Sequence, residues 1–254
     1  MFKIGEYVTR KKYNHDIIFK IVDIKKDYVT LHGVDLRLLA DAKIDDLELA
    51  TISKKKLINK VRELSLHNYF YIPGVILHFD SDEDYLKKCM DFYKNNKIKS
   101  FGYVFGESEY SKIILDKIEK YDPNIVVITG HDGYNKKNHK YRNSEYFIET
   151  VKKIRKKYKG LNEIIIIAGA CQSDYVNLIK VGSNFASSPS KVNIHCLDPA
   201  IIATSLALSD FDKPIDLEKI LKSTKYGFDG FGGIVTYGKL MRGVPRKDSN
   251  WILT

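Results

Sequence analysis

Apolar residues follow two different patterns along the chain, and the first is a series of short strand-like runs. Tyr7–Arg10, Ile17–Ile24 and Tyr28–His32 are rich in β-branched and aromatic residues and are separated by polar, turn-like residues. This pattern is typical of β-hairpins. It predicts a small SH3-like β-barrel over residues 1–52, followed by a helical, basic connector at 53–70 that marks the domain boundary.

From Val75 onwards, strand-like runs alternate with stretches that have helical spacing. Such alternation is typical of a parallel sheet with helices on both faces. We therefore expect residues 71–254 to form an α/β domain, with loops and a hairpin in the Gly-rich segment 227–243. The predicted strands are Val75–Asp80, Ser100–Phe105, a run from Ile125, Ile164–Ile167 and Lys191–Leu197, and the predicted helices are Glu83–Asn95, Ser108–Tyr121, Tyr146–Tyr158 and Tyr175–Lys180.

Two of these strands end in residues that could carry chemistry. Ile164–Ile167 is apolar at every position, so both faces of this strand should be buried, and it continues into Gly169, Ala170 and Cys171. The run from Ile125 ends in the same way, shortly before His131. Ligands bind at the carboxyl edge of open α/β sheets. If the two strands are neighbours, His131 and Cys171 face each other at that edge.

The amino-acid composition indicates a folded protein of a reduced compartment. An apolar content of 44% is typical of a folded chain. The first residues lack the apolar core of a signal peptide and no apolar run approaches about 20 residues, so we expect a cytoplasmic protein without a membrane span. The three cysteines, Cys89, Cys171 and Cys196, cannot all pair and match no metal-binding spacing. We therefore expect a reduced compartment and neither metal nor organic cofactor.

The net charge of +10 points towards an acidic partner, either nucleic acid or a protein surface. The densest basic run, Lys152–Lys159, falls within a predicted helix, where a solvated face is the simpler interpretation. The chain also lacks strands in which aromatic and basic residues alternate, a feature of many nucleic-acid-binding modules. Nucleic acid is therefore not the expected partner.

Cys171 has three features of a catalytic nucleophile. It follows a strand, its neighbours are small, and the dipole of the next helix would favour a thiolate. His131 is a suitable base, since the glycines around it free backbone N–H groups for an oxyanion hole. A buried core thiol and a histidine bonded to a loop carbonyl are the simpler alternatives.

The order and spacing of these residues leave a second pairing open. His131 precedes Cys171 by about 40 residues, close to the arrangement in caspases, where the base lies about 50 residues upstream of an Ala-Cys motif. His195 follows Cys171 instead, in the order of glutamine-amidotransferase-like hydrolases, and Asp198 could orient its ring. Cys196 lies within a predicted strand and is interpreted as structural.

Several sequence blocks, in the same order, resemble the YabG family of sporulation-specific proteases. The similarity covers nearly the whole chain. The blocks are Lys3–Val8, Asp35–Ala42, Thr129–Tyr134, Tyr141–Phe147, Ala168–Ser173, Asn184–Pro189, Val192–Pro199 and Asp229–Ile234.

The resemblance implies a cysteine endopeptidase that processes spore-coat and related spore proteins and cuts after basic residues, particularly arginine. It would act in the mother-cell cytoplasm and the forming spore coat. The family's nucleophile maps onto Cys171 and its histidine onto His131, within a caspase-like α/β domain. Asp132 separates the histidine from the next glycine, so which N–H groups line the oxyanion hole stays open. The expected donors are those of Cys171 and of the turn formed by Asp132 and Gly133.

Selection of arginine requires a carboxylate, because a buried unpaired guanidinium costs several kcal/mol and a carboxylate can satisfy its planar donors. The candidates near the predicted edge are Asp174, Asp198 and Asp229, of which we favour the last two. Asp174 could equally begin a helix, and Asp198 could be a turn residue. The alternative function from another class is a non-enzymatic binding module of the spore.

Overall fold

The computed structural model describes residues 2–51 and 69–244. The chain forms two compact units, Met1–Leu57 and Ile58–Thr254. The predicted helical connector at 53–70 lies outside the described residues, apart from its last two. Of these, Phe70 already begins a strand.

The first unit contains a five-stranded antiparallel sheet. Its strands are β1 (Tyr7–Arg10), β2 (Phe19–Lys25), β3 (Tyr28–Gly33), β4 (Leu39–Lys43) and β5 (Leu47–Leu49), in the order β4-β3-β2-β1-β5. Val8 and Ile21 belong to its buried core, as expected for strands that bury one face. The three predicted strands are confirmed. The sheet also contains β4 and β5, which the sequence did not predict. β4 lies in a segment where acidic and basic residues obscure the strand pattern.

The second unit alternates strands and helices. Its strands are β6 (Phe70–Ile72), β7 (Ile76–Asp80), β8 (Ser100–Val104), β9 (Ile125–Ile128), β10 (Tyr134–Asn135), β11 (Lys140–Tyr141), β12 (Ile165–Ala168), β13 (Phe185–Ser187), β14 (Phe231–Gly233) and β15 (Met241–Gly243). Its helices are α1 (Glu83–Asn95), α2 (Tyr110–Tyr121), α3 (Ser144–Lys157), α4 (Tyr175–Lys180), α5 (Asp198–Ala207), α6 (Leu217–Lys222) and α7 (Gly227–Gly230). In the part of the chain that the structure describes, no helix has the length and apolarity to cross a membrane.

A six-stranded sheet, in the order β14-β13-β12-β9-β7-β8, forms the centre of this unit. All neighbouring pairs are parallel except β13 and β14. Both faces are buried, as predicted: Ile165 and Ile167 pack with α1 and α5, whereas Ile166 packs with α2 and α3. The prediction of an α/β unit with a largely parallel sheet is confirmed.

Strand order creates a switch point at one edge of the sheet. The chain leaves β7 to form β8 on one side and then returns to form β9 on the other side of β7. Loops that leave two such strands diverge, and the crevice between them is the usual ligand site of open α/β sheets. The loops after β7 and β9 leave the sheet on either side of this switch point, and β12 is the next strand.

Two predictions in the second half of the unit are wrong. The segment Lys191–Leu197 alternates apolar and polar residues as a strand would, but it is a loop, and the strand that follows α4 is β13. Ile194 and Cys196 are nevertheless buried, because the loop packs them into the core beneath the sheet. The Gly-rich segment does not form a hairpin either, since β14 pairs with β13 and β15 pairs with β6.

The basic run at the end of α3 is a solvated face, with one exception. Lys152 and Lys156 are exposed, but Arg155 donates from Nε to the carbonyl of Gly182 at 2.8 Å and from a terminal nitrogen to Oδ1 of Asn184 at 2.7 Å. The same Oδ1 accepts the Ile166 N–H at 2.9 Å. Burial lowers the pKa of Arg155 to about 10, so the side chain stays charged at neutral pH. Arg155 therefore links α3 to β12 and to the start of β13.

We predict that Arg155→Ala lowers the free energy of unfolding by about 1–3 kcal/mol, because two acceptors lose a charged donor. Urea unfolding followed by circular dichroism measures the change. Lys156→Ala is the matched control, since it removes the exposed cation next in the chain. Equal stability of the two variants would contradict the linking role.

Candidate active site

Four loops at the carboxyl edge of the sheet carry the polar residues of the candidate site. Asp82 follows β7, Glu107 follows β8, His131 follows β9 and Cys171 follows β12. β9 and β12 are adjacent and parallel, with Ile128 paired to Ala168. His131 and Cys171 are each the third residue after this pair. The predicted adjacency of the two strands is therefore confirmed, and both residues leave the same edge of the sheet.

The imidazole of His131 is held by a carboxylate. Its Nε2 lies 3.1 Å from Oδ2 of Asp82, and the two side chains are only 17% and 10% exposed. The ring also lies 5.9 Å from that of Tyr85, measured between centroids. The backbone N–H of His131 donates to Oε1 of Glu107 at 2.8 Å. The partner of this histidine is thus a carboxylate that is largely shielded from water.

Asp82 and Glu107 were missed by the sequence analysis. Each lies two or three residues beyond a strand end, as His131 and Cys171 do. This position was the available signal, but acids at the start of a helix are common caps, and Asp82 is indeed the N-cap of α1. The strand order that makes β7 and β9 neighbours turns this cap into a partner of His131.

Asp132 joins the His131 loop to the Cys171 loop. Its Oδ1 accepts the N–H groups of Gly133 and Asn143, each at 2.8 Å. Its Oδ2 accepts the hydroxyl groups of Ser144 and Ser173, the latter at 2.8 Å. Ser173 is two residues beyond Cys171. A carboxylate with four donors is well satisfied. The side chain of Asp132 therefore acts as a clasp, by which we mean that it joins the two loops through hydrogen bonds to both.

The Cys171 sulfur lies under a loop. The residue is only 2% exposed, and the backbone N–H of Ile194 donates to Sγ at 3.3 Å. A donated N–H favours negative charge on sulfur. The next residue, Gln172, donates its N–H to Ser188 Oγ at 3.0 Å and to the Val192 carbonyl at 3.2 Å. The segment 188–194, which we call the covering loop, therefore packs directly on the nucleophile candidate.

Gly169 has a conformation that an L-residue rarely adopts. Its φ is +104°, and a Cβ at this position would lie 2.4 Å from the Ser187 hydroxyl oxygen. That hydroxyl donates to the carbonyl of Ala170 at 2.6 Å. The small residues before Cys171 thus allow a sharp turn against β13.

The structure gives His195 different surroundings from those of His131. Its Nδ1 accepts the Leu197 N–H at 3.2 Å. Asp198 accepts the backbone N–H of His195 at 3.0 Å, and its other oxygen accepts the Lys225 N–H at 2.8 Å. These bonds join Asp198, which is fully buried at the start of α5, to the backbone just before α5 and just before α7.

The two other specificity candidates are more accessible than Asp198. Asp174 caps α4 by accepting the Asn177 N–H at 3.2 Å, as the helix-start alternative predicted. Asp229 is exposed, and its Oδ1 accepts the Ser190 hydroxyl at 2.8 Å. Because Ser190 belongs to the covering loop, Asp229 lies at the border of the loop that packs on Cys171.

A small hairpin, β10 with β11, forms another side of the candidate site. Tyr134 donates its N–H to Oε1 of Gln172 at 3.2 Å. Lys191 places Nζ 3.5 Å from the centroid of the Tyr134 ring. Burial and the nearby Asp174 carboxylate raise the pKa of Tyr141 on the same hairpin. The hairpin is thereby linked to both the Cys171 turn and the covering loop.

The chain is similar to known peptidases. A family model described as YabG peptidase U57 matches residues 3–65 and 53–245. A protein of Bacillus subtilis (strain 168), the sporulation-specific protease YabG, is 37% identical over an alignment of 288 residues, which covers 98% of this chain and 99% of that protein. No solved structure matches this chain significantly.

We predict that Asp132→Ala lowers the free energy of unfolding by about 2–4 kcal/mol, because four donors, among them the buried hydroxyl groups of Ser144 and Ser173, lose their acceptor. Amide hydrogen exchange should also accelerate in the His131 and Cys171 loops, which the carboxylate joins. Chemical denaturation and exchange monitored by mass spectrometry measure both effects. The control is Asp116→Ala, which removes an exposed acid from α2. Unchanged exchange in both loops would refute the role as a clasp.

Proposed function

The chain belongs to the YabG peptidase U57 family and is a peptidase, and from this we propose that it is a cysteine endopeptidase with Cys171 as nucleophile and His131 as general base. One observation carries the proposal. The paired ends of β9 and β12 place a histidine and a cysteine at equivalent positions on one edge of the sheet. That edge also carries the switch point between β7 and β9, which is the usual position of a ligand site in open α/β sheets.

The chemistry requires two steps at a peptide carbonyl. His131 removes the proton from Cys171, and the sulfur attacks the carbonyl carbon to give a tetrahedral intermediate. As the C–N bond breaks, the imidazolium gives its proton to the leaving amine, and a thioester remains on Cys171. His131 then deprotonates a water molecule that attacks the thioester, which releases the carboxylate product and restores the thiol.

Backbone N–H groups of Cys171 and of the turn formed by Asp132 and Gly133 are proposed to hold the negatively charged oxygen of the intermediate. The Gly133 N–H donates to Asp132 Oδ1 at 2.8 Å. The Gly133 N–H must therefore leave Asp132 Oδ1 and donate to the oxyanion when the intermediate forms. Asp132 thus contributes to the site in two ways, through its backbone in the turn and through its side chain as the clasp.

Substrate must also reach a sulfur that is almost fully covered. Cys171 is 2% exposed, and the covering loop contacts it through Ile194. We propose that this loop moves when a peptide binds, because a peptide carbonyl carbon must approach the sulfur to about 3–3.5 Å.

The finer assignment of the fold belongs to the same proposal. A histidine-first pair on neighbouring strands, in a largely parallel sheet, supports a caspase-like peptidase unit. Five short antiparallel strands around an apolar core support an SH3-like barrel for the first unit. Neither assignment is needed for the proposed chemistry.

We further propose that the chain acts during sporulation on spore-coat and other spore proteins. The printed name of the similar Bacillus subtilis protein, a sporulation-specific protease, supports the timing. The sequence resemblance supports the substrates and a location in the mother-cell cytoplasm and the forming coat. The non-enzymatic binding role that the sequence left open is not supported, because the chain is a peptidase.

Among the three acids proposed to bind an arginine side chain, Asp229 is now the best supported. It is exposed, borders the covering loop, and uses Oδ1 for Ser190. Asp198 is buried and accepts two backbone N–H groups, and Asp174 caps a helix. A carboxylate that already neutralises local backbone donors has less capacity for a guanidinium.

We predict that Cys171→Ala abolishes peptide cleavage and that His131→Ala lowers it by a factor of roughly 10²–10⁴, the usual contribution of a general base. Cleavage of an arginine-containing peptide by purified protein measures both. Cys196→Ala, which alters another buried thiol in the same core cluster, should retain activity. Circular dichroism checks that each variant is folded.

The same assay decides between the alternatives. A greater loss with His195→Ala than with His131→Ala would assign the base to His195, as in an amidotransferase-like hydrolase. Equal cleavage by Cys171→Ala and the unmodified protein would end the cysteine mechanism. No cleavage by the unmodified protein, with spore proteins as well as peptides, would contradict the proposed substrates.

We predict that Asp229→Asn reduces the preference for arginine over glutamine at least about tenfold, which corresponds to about 1.4 kcal/mol. The reason is the loss of a charged acceptor for the guanidinium. Values of kcat/KM for peptides that differ only in this residue measure the preference. Asp174→Asn is the matched control, because it changes another acid near the site. If Asp198→Asn alone abolished the preference for arginine, Asp198 and not Asp229 would be the carboxylate that binds the guanidinium.

A further inference from the structure

A carboxylate outside the proposed catalytic pair contacts the proposed base. Oδ2 of Asp82 lies 3.1 Å from Nε2 of His131, within hydrogen-bonding distance. The contact is largely shielded from water, since the two side chains are 10% and 17% exposed. In such surroundings a hydrogen bond between an ionised group and its partner is stronger than at an open surface.

The Asp82 carboxylate is held in place by its other bonds. Its Oδ1 accepts the Tyr85 N–H at 3.0 Å and so caps α1. Its backbone N–H donates to Oδ1 of Asp80 at 3.1 Å. With one oxygen on the helix and the backbone anchored, the second oxygen is directed at His131.

The loop that carries His131 is fixed to the same framework. Asp80 is fully buried, and its Oδ2 accepts the Thr129 hydroxyl at 2.7 Å. The backbone N–H of His131 donates to Glu107, which also accepts the Ser81 hydroxyl at 2.6 Å. The loops after β7, β8 and β9 are thus joined by two acids other than Asp82. The separation of Asp82 and His131 therefore follows from several independent bonds.

We propose that Asp82 is the positioning residue of the proposed base. By accepting a proton-bearing Nε2, it selects the tautomer in which Nδ1 carries the lone pair, and Nδ1 then takes the proton of Cys171. The carboxylate also stabilises the imidazolium that results. The inference rests on the proposed role of His131 in catalysis. Asp82 does not react with the substrate in this account.

The decisive substitution is Asp82→Asn. Asparagine is a good N-cap, so α1 keeps its cap while the carboxylate is lost. An amide that turns its NH₂ group towards Nε2 would favour the opposite tautomer. We expect kcat to fall about 100-fold with KM nearly unchanged, because wrong-tautomer variants of comparable catalytic sites lose rate and not binding.

The matched control is Asp216→Asn. Asp216 caps α6 by accepting the Lys219 N–H at 3.0 Å, so it loses the same capping carboxylate at another helix. Both variants should unfold at nearly the same temperature, and only Asp82→Asn should lose activity. This comparison separates a positioning role from a merely structural one.

A second measurement does not depend on cleavage. Nitrogen-15 NMR of histidine-labelled protein distinguishes a protonated from an unprotonated ring nitrogen, and His131→Gln identifies the signals by their loss. We expect a protonated Nε2 and an unprotonated Nδ1 in the neutral imidazole of the unmodified protein. The Asp82→Asn variant should show a shift of population towards the opposite tautomer, and Asp216→Asn should show none.

The outcomes are distinguishable. If His131→Ala is inactive while Asp82→Asn keeps normal kcat and the normal tautomer, the positioning role is overturned and the proposed function stands. If His131→Ala cleaves normally, the proposed base is wrong and the positioning role falls with it. If Asp82→Asn is inactive and less stable than Asp216→Asn, the tautomer of His131 distinguishes a positioning role from a structural one. A role in folding alone leaves the tautomer unchanged.

Discussion

The parallel pairing of β9 with β12 is the constraint on which the rest of the second unit depends. Both strands are buried on both faces, so polar side chains have no place along them and collect at their ends. The pairing of Ile128 with Ala168 then brings His131 and Cys171 out at the same level of the sheet. The proposed catalytic pair is in this sense a consequence of how two apolar strands pack.

Acids that are buried or partly buried provide the second level of organisation. Asp80, Asp82, Glu107 and Asp132 each accept donors from more than one segment, and together they join the loops that leave four strands. A buried carboxylate is costly unless its oxygens are satisfied. Once satisfied, it fixes the donors around it. This acidic framework contrasts with the net charge of +10 for the whole chain, which describes the surface and not the site.

Access to Cys171 is the feature that separates a resting from a working site in the proposed mechanism. The covering loop contributes Ile194 to the core and an N–H to the sulfur, so it stabilises the closed arrangement by burial as well as by hydrogen bonding. The same loop is bonded to Asp229 through Ser190. A bound basic side chain that engages Asp229 would compete for this carboxylate, which would couple substrate recognition to movement of the loop.

The sequence by itself determined the local features: two buried strands, the alternation of strands and helices, and small residues before Cys171. Each depends on side chains that are near one another in the chain. Tertiary structure alone decided that Lys191–Leu197 is a loop, because alternating apolar residues suit a strand and a packed loop equally well. It also decided that Asp82, a helix cap by its local sequence, contacts His131, and that Asp132 joins two loops. These contacts link residues about 40 to 50 positions apart, and strand order brings them together.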